Sequence, residues 1–259
     1  MLKMELNRIW RRPIFWVLFL VGLAFAIAPI KEGWLAVEAD YKLMELSPYV
    51  NWLYLYPTAS ENIYKLIFPL LAAIAYADSY AEDFNTGFIK NILTKVEKKT
   101  YLRVRYIVNF CLGGAIAIFP LVLNFLCTMA VYPLIEPNFY YGSNLVIENS
   151  FLPDLYYQHP FWYILLRIFI LFFVGGMFAS LGLALSVFVK NRYVIVIFPF
   201  LLFMAFDILI GVLIPSVPTM DAVFMKNYGS VIALFGYLFA GTIGSYLCFY
   251  FVGGKNETI

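Results

Sequence analysis

Long apolar stretches alternate with shorter polar ones along the 259 residues of this chain. A helix that crosses a hydrocarbon core of roughly 30 Å needs about 20 consecutive, mostly apolar residues. Six stretches have about that length, and they cover residues 14–30, 63–81, 106–131, 161–189, 193–214 and 229–252. The pattern therefore predicts an all-α polytopic membrane protein, with six transmembrane helices in a single domain over residues 1–259.

The composition agrees with a membrane protein. Hydrophobic residues make up 63% of the chain and charged residues 13%, which is too apolar for a soluble domain with one core. Cys111, Cys127 and Cys248 all fall inside predicted spans, and their spacing fits neither a disulfide framework nor a metal site. We interpret these cysteines as small apolar packing residues.

The longest polar and basic interruption runs from Asp78 to Arg105, between the second and third predicted spans. Lysine and arginine accumulate on the cytoplasmic side of membrane proteins. The predicted topology places thirteen of the eighteen Lys and Arg residues on that side. It follows that the loop 82–105 and both chain termini are cytoplasmic.

Residues 1–13 predict a short amphipathic helix that lies in the membrane interface. Its apolar side carries Leu2, Leu6, Ile9 and Pro13, and its polar side carries Lys3, Asn7 and Arg11. A basic start followed by an apolar run with Ala24-Phe25-Ala26 also resembles a signal peptide. We interpret residues 14–30 as the first membrane span, running outward from the cytoplasm.

Four ionisable side chains lie in or at the edge of predicted spans, namely Lys65, Asp78, Arg167 and Asp207. A charge near the bilayer centre costs about 2.5–3.5 kcal/mol on insertion scales, so it needs a partner or water. At a rise of about 1.5 Å per residue, Arg167 lies about 9 Å from the outer membrane face and Asp207 about 21 Å from the inner face. These depths coincide in a core of about 30 Å, and we expect an intramembrane charge pair between Arg167 and Asp207. Such a pair either fixes helix register or takes part in substrate handling or gating; the third possibility is that the two residues make no contact.

Small residues recur at helical spacing in two spans. They are Gly176, Ser180 and Ala184 in the fourth, and Gly236, Ala240 and Gly244 in the last. Stripes of this kind allow close helix packing in lipid, either within one chain or between two copies. The fourth predicted span is also long enough to be tilted or to break near Gly175.

The sequence carries no recognisable catalytic motif. The single histidine, His159, precedes a proline, and no serine elbow or HExxH motif accompanies it. The chain also lacks a G-x-x-x-x-G-K-[ST] phosphate loop. We therefore expect no enzymatic activity and no cofactor in this chain; any ATP hydrolysis that drives it belongs to another polypeptide.

The polar interruption resembles a motif of the membrane subunits of ATP-binding-cassette (ABC) exporters of the type-2 permease class. In that family an acidic residue is followed four positions later by glycine, then by a short apolar helix, a basic turn and Tyr-Leu at the start of the third span. The corresponding residues here are Asp83, Gly87, residues 88–93, Lys98-Lys99 and Tyr101-Leu102. The basic turn carries two lysines where the family usually has a small residue and an arginine.

The resemblance implies that Glu82 to Leu93 forms a coupling helix that fits a cleft on a separate ATPase subunit. The residues expected to make this contact are Glu82, Asp83, Gly87, Phe88, Ile89, Ile92 and Leu93. An apolar patch in a cytoplasmic loop suggests a protein contact. The alternative is that these apolar residues pack under the protein's own helices.

Further expectations come from the same resemblance. The partners are an ATP-binding-cassette ATPase subunit, which holds ATP and magnesium, and a second permease, either identical or related. The substrate is a hydrophobic peptide, lipid or drug-like molecule, exported across a bacterial-type cytoplasmic membrane. Two other classes stay open. One is an ion-coupled secondary transporter with a relay of Asp78, Arg167 and Asp207; the other is a membrane scaffold without transport activity.

Overall fold

The computed structural model describes residues 2–40, 47–55, 58–138, 146, 150–213, 219, 224 and 230–255, without the side chains of residues 2, 3, 6, 33–40 and 230. The regular elements of these residues are all helices. They are α1 (Leu2–Trp10), α2 (Pro13–Asp40), α3 (Ala59–Ile74), α4 (Ser79–Asn85), α5 (Phe88–Leu93), α6 (Lys98–Val131), α7 (Pro153–Gln158), α8 (Pro160–Leu185), α9 (Arg192–Leu213), α10 (Ser230–Leu247), a π-helical turn (Cys248–Val252) and α11 (Gly253–Lys255).

Five helical segments are long and apolar enough to cross a membrane. They are Pro13–Glu32, Lys98–Val131, Pro160–Leu185, Arg192–Leu213 and Val231–Lys255. They correspond to the first, third, fourth, fifth and sixth predicted spans. The prediction of an all-helical, multi-pass membrane protein is therefore confirmed in this coarse form.

The predicted second span, residues 63–81, is not one continuous helix. α3 has 16 residues, a length of about 24 Å, and is followed by a turn over residues 75–78. α4 then begins at Ser79. The break sets Asp78 and α4 beside the arginines of neighbouring helices, as described below, and a sixth span through α3 stays a prediction.

Two other helices differ from their predicted bounds. α6 begins at Lys98 rather than at residue 106, so the end of the predicted loop 82–105 is helical. With 34 residues α6 is about 51 Å long, which exceeds a hydrocarbon core of about 30 Å. α8 runs unbroken through Gly175, so the predicted break is absent there. The glycines at this point allow close helix packing instead.

α6 and α8 approach each other at backbone distance through paired glycines. A Cβ atom added to Gly175 would lie 2.7 Å from the Cβ of Ala117 and 3.1 Å from the Cα of Gly114. A Cβ on Gly114 would lie 2.5 Å from the carbonyl oxygen of Phe172. Small residues permit such close contact where lipid supplies no hydrophobic driving force between helices.

The two small-residue stripes have different surroundings. On α8, Gly176, Ser180 and Ala184 are buried inside the bundle, as the packing interpretation predicts. On α10, Gly236 and Gly244 are exposed, and a Cβ added to either would meet no atom within 4 Å. Within the described residues, the stripe on α10 therefore faces outward.

Residues 47–55, which lie between α2 and α3, contribute to the core. The indole of Trp52 is buried and donates a hydrogen bond to the carbonyl oxygen of Leu121 at 3.0 Å. Asn124 accepts from the amide of Leu53 at 2.7 Å and donates to the carbonyl of Ala26 at 2.7 Å. These polar groups therefore find their partners inside the bundle.

Candidate functional site

The segment from Asp78 to Arg105 folds into α4, α5 and the first turns of α6. Gly87 separates the two short helices and has a φ of +70°, a left-handed conformation that glycine adopts without strain. A Cβ at this position would meet no atom within 4 Å. Glycine is therefore required here for its backbone conformation. This conformation sets the direction in which α5 leaves α4.

α5 has a buried face and an exposed face. Ile89 and Ile92 are buried against aromatic and aliphatic side chains of α4, α6, α8 and the π-helical turn. Phe88 is 38% exposed, and Leu93 is half-buried. The alternative prediction, packing under the protein's own helices, therefore applies to Ile89 and Ile92, whereas Phe88 is available to a partner.

Asp83, the acidic residue of the motif, is completely buried. Its carboxylate accepts a hydrogen bond from the hydroxyl of Tyr101 at 2.7 Å and forms ion pairs with Arg8 and Arg105. Contacts inside the chain therefore occupy this carboxylate. It supports the segment from within, and its predicted contact with an ATPase subunit stays a prediction.

Two further acidic residues of the segment bind arginines. Glu82 pairs with Arg8 at 2.9 Å and with Arg12. Asp78 pairs with Arg12 at 2.8 Å and with Arg192 at 2.6 Å. These bonds tie the turn before α4 to the start of α2 and to the start of α9.

The N-terminal helix α1 takes part in the same network. Glu5 is completely buried and accepts from Arg105 at 2.8 Å and from the hydroxyl of Tyr76. Ile9 is buried as well, whereas Trp10 is exposed. One face of α1 thus packs on the protein, and an amphipathic helix that lies in the membrane interface stays a prediction.

We refer to these eight side chains as the inner charged cluster, because the sequence predicts that the loop 82–105, which contributes to it, is cytoplasmic. It contains the carboxylates of Glu5, Asp78, Glu82 and Asp83 and the guanidinium groups of Arg8, Arg12, Arg105 and Arg192. The two sets of charges balance, so the cluster has no net charge. Its members lie in α1, α4, α6 and α9, in the turn before α4 and, for Arg12, directly before α2, and they connect these elements to one another.

The electrostatics around α4 follow from burial and from these pairs. Burial lowers the pKa of Arg12, but the charge and hydrogen bond of Asp78 outweigh it and leave the pKa above its usual value. Burial lowers the pKa of Lys190 to about 8. The Lys190 ammonium group donates to the carbonyl of Ser186 at 2.7 Å and lies 4.6 Å from the ring centre of Tyr80 and 4.5 Å from that of Phe84. The turn after α8 is thereby fixed against α4.

A groove of about 910 Å³ lies between α1 and the helices α4 and α5. Its walls are formed by Met4, Asn7, Arg8, Arg11, Glu82, Thr86, Phe88 and Asn91. Four of these residues come from α1 and its end, and the sequence analysis did not assign them to the site. One sequence signal could have indicated that α1 packs on the protein. Glu5 comes four positions before Ile9 and therefore places an acidic side chain on the apolar face of the helix, where it needs a partner.

Arg167 is buried on α8, one helical turn after Tyr163. Its guanidinium group donates to the hydroxyl of Tyr163 at 2.6 Å and to the carbonyl oxygen of Phe224 at 3.1 Å. It also lies 5.5 Å from the ring centres of Tyr54 and Phe151. These aromatic and carbonyl contacts solvate the charge within the protein.

Asp207 is half-buried on α9, close enough to Tyr237 of α10 for an electrostatic interaction. The predicted pair between Arg167 and Asp207 stays a prediction. Lys65, a third charge in the predicted spans, is buried and pairs with Glu61 one helical turn away.

Comparisons with known proteins found no protein-family model, curated protein or solved structure that matches this chain.

Proposed function

We propose that this chain is the permease subunit of an ABC exporter of the type-2 class. In this proposal six spans cross a bacterial-type cytoplasmic membrane, both termini are cytoplasmic, and a separate ATPase subunit binds ATP and magnesium. A second permease, identical or related, completes the transmembrane path. The substrate is a hydrophobic or amphipathic molecule such as a peptide, a lipid or a drug.

One observation carries the proposal: Phe88 is exposed at the rim of the groove, while the opposite face of its helix is held by the protein. Ile89 and Ile92 pack into the bundle, and Asp83 is held by Tyr101, Arg8 and Arg105. A large apolar side chain on a firmly held cytoplasmic element is suited to a protein partner.

The charge of the surrounding surface indicates the chemistry of that partner. The acidic residues of α4 are neutralised inside the inner charged cluster. The exposed basic residues of this surface are Arg11, Lys90, Lys95 and Lys99, against one exposed acidic residue, Glu97. A partner cleft that accepts Phe88 is therefore expected to have an acidic rim, which would speed association and orient the two subunits.

The inner charged cluster gives a route by which movement of α5 reaches the membrane. Asp83 joins α4 to Arg105 of α6, and Glu82 joins it to Arg12 at the start of α2. α6 in turn contacts α8 at backbone distance near Gly175. Closure of the ATPase subunits against α5 would then displace α6 and α8 together, because the backbones of these two helices are in direct contact.

Replacing Phe88 with glutamate is expected to separate the chain from its ATPase. Loss of a central aromatic contact typically costs 2 kcal/mol or more, so we expect binding to weaken at least about 30-fold. The measurement is the ATP-hydrolysing activity and the amount of ATPase subunit that co-purify with the tagged chain from its native host.

Thr100→Glu is the matched control. Thr100 is exposed in the first turn of α6, where an acidic residue is favourable, so the control adds the same charge to the same surface outside the groove. Equal co-purification with Phe88→Glu and with the unaltered chain would contradict the proposal. Proton-driven flux by the purified chain without any ATPase would support the secondary transporter instead.

A further inference from the structure

A second groove, of about 670 Å³, lies between α6, α8 and α10. Its wall is largely aromatic and includes Phe110, Phe169, Phe173, Phe235, Phe239 and Tyr246. This volume is within the range of roughly 300–1,000 Å³ that is usual for ligand pockets. The groove therefore has room for an extended apolar group.

The groove opens toward the bilayer. All three helices that form it belong to segments long and apolar enough to cross a membrane. Phe169, Phe239 and Ile243 lie along it and are 59%, 63% and 52% exposed. A groove that opens into hydrocarbon selects an apolar occupant, such as a lipid acyl chain.

A cation lies close to one end of the groove. The ring of Tyr246, which lines the groove, stacks on that of Tyr250, with a centroid distance of 5.7 Å and an interplanar angle of 16°. The guanidinium group of Arg103 donates to the Tyr250 hydroxyl at 3.2 Å and lies 5.4 Å from the centre of its ring. Tyrosine and arginine together are typical of headgroup depth.

Arg103 differs from the arginines of the inner charged cluster. Each of those four binds at least one carboxylate, whereas in the described part of the chain Arg103 contacts tyrosine and its side chain is exposed. Its positive charge is thus available to an external anion. The tyrosine contact restricts the orientation of the guanidinium group, which suits it to bind phosphate.

We propose that this groove is a binding site for an anionic phospholipid of the inner leaflet. The phosphate binds Arg103 beside Tyr250, and an acyl chain lies along the aromatic wall between α6, α8 and α10. Anionic lipids are concentrated in the cytoplasmic leaflet, the side on which the basic residues place Arg103. The site does not depend on a transport role or on an ATPase.

The experiment titrates the purified chain in detergent with phosphatidylglycerol and with phosphatidylcholine that carry the same acyl chains. Native mass spectrometry counts the lipid molecules bound to each chain. We expect one phosphatidylglycerol to bind about fivefold more tightly than phosphatidylcholine, the usual contribution of one basic residue near a membrane surface. Arg103→Gln should remove this preference and leave phosphatidylcholine binding unchanged.

Two further variants distinguish lipid binding in the groove from general attraction to the positive charge of the surface. Lys95→Gln removes one exposed positive charge from the same inner surface outside the groove, and both affinities should stay unchanged. Ile243→Trp fills the groove and should weaken both lipids together.

Three results would overturn the proposal. The first is an equal loss of phosphatidylglycerol binding in Arg103→Gln and Lys95→Gln. The second is unchanged lipid binding in Ile243→Trp. The third is cross-linking between two copies of the chain through a cysteine introduced at Phe239, which would show that a second copy occupies the groove. Equal melting temperatures of the variants establish that each is folded.

Discussion

Replacing Arg105 with leucine is expected to destabilise the folded chain by about 3–5 kcal/mol. Arg105 is completely buried and pairs with Glu5 and Asp83, which are buried as well. Removing the guanidinium group would leave Glu5 without its arginine partner in the described part of the chain, and Asp83 with Arg8 alone. The loss can be measured as the shift in the denaturation midpoint of the purified chain in a mild detergent, converted with the slope of the transition.

The matched control is Arg192→Gln. The side chain of Arg192 is 52% exposed, and its partner Asp78 also binds Arg12. Exposed ion pairs contribute roughly 0–1 kcal/mol, so the control should stay within about 1 kcal/mol of the unaltered chain. Equal effects of the two substitutions would mean that burial does not distinguish these pairs.

A double substitution tests whether the cost of Arg105→Leu arises from unpaired charge. Adding Glu5→Gln to Arg105→Leu removes the carboxylate that the single substitution leaves without an arginine. It should restore part of the lost stability, because a buried amide is less costly than a buried carboxylate without a counter-charge. If the two losses simply added, the coupling between Arg105 and Glu5 would be absent.

The sequence could predict the local features of the site, but it could not predict the inner charged cluster. Hydrophobic length alone identified five segments that fit a membrane, because that property is local and additive along the chain. The motif from Asp83 to Leu102 is also a local property, since it consists of residue types at fixed spacing along the chain. Neither property reports on contacts between residues far apart in sequence, such as those of Glu5 and Arg105.

Exposure within the motif could not be predicted for the same reason. Phe88 and Ile89 are adjacent apolar residues, yet one is exposed and the other buried. The difference depends on Gly87, whose positive φ sets the direction of α5, and on aromatic residues that α6 and the π-helical turn bring beneath it. The break after Ile74 could not be predicted for a similar reason, since four arginines from four other parts of the chain bind the carboxylates that follow it.

Replacing Gly175 with leucine is expected to separate α6 from α8 and to destabilise the chain by about 3 kcal/mol, near the upper end for overpacked cores. Even a single added Cβ would lie 2.7 Å from the Cβ of Ala117 and 3.1 Å from the Cα of Gly114. The second of these is a backbone atom, so no change of side-chain rotamer can relieve the clash. Thermal denaturation of the purified chain, followed by size-exclusion chromatography, measures the effect.

Gly236→Leu is the control, since it makes the same substitution inside a membrane helix at an open position. A Cβ at Gly236 would meet no atom within 4 Å, so its replacement removes only a residue of poor helix propensity. The control should therefore be neutral or slightly stabilising as long as lipid or detergent covers this face. A loss at Gly236 as large as that at Gly175 would mean that the exposed stripe of α10 also packs against another element, and no described element of this chain covers it.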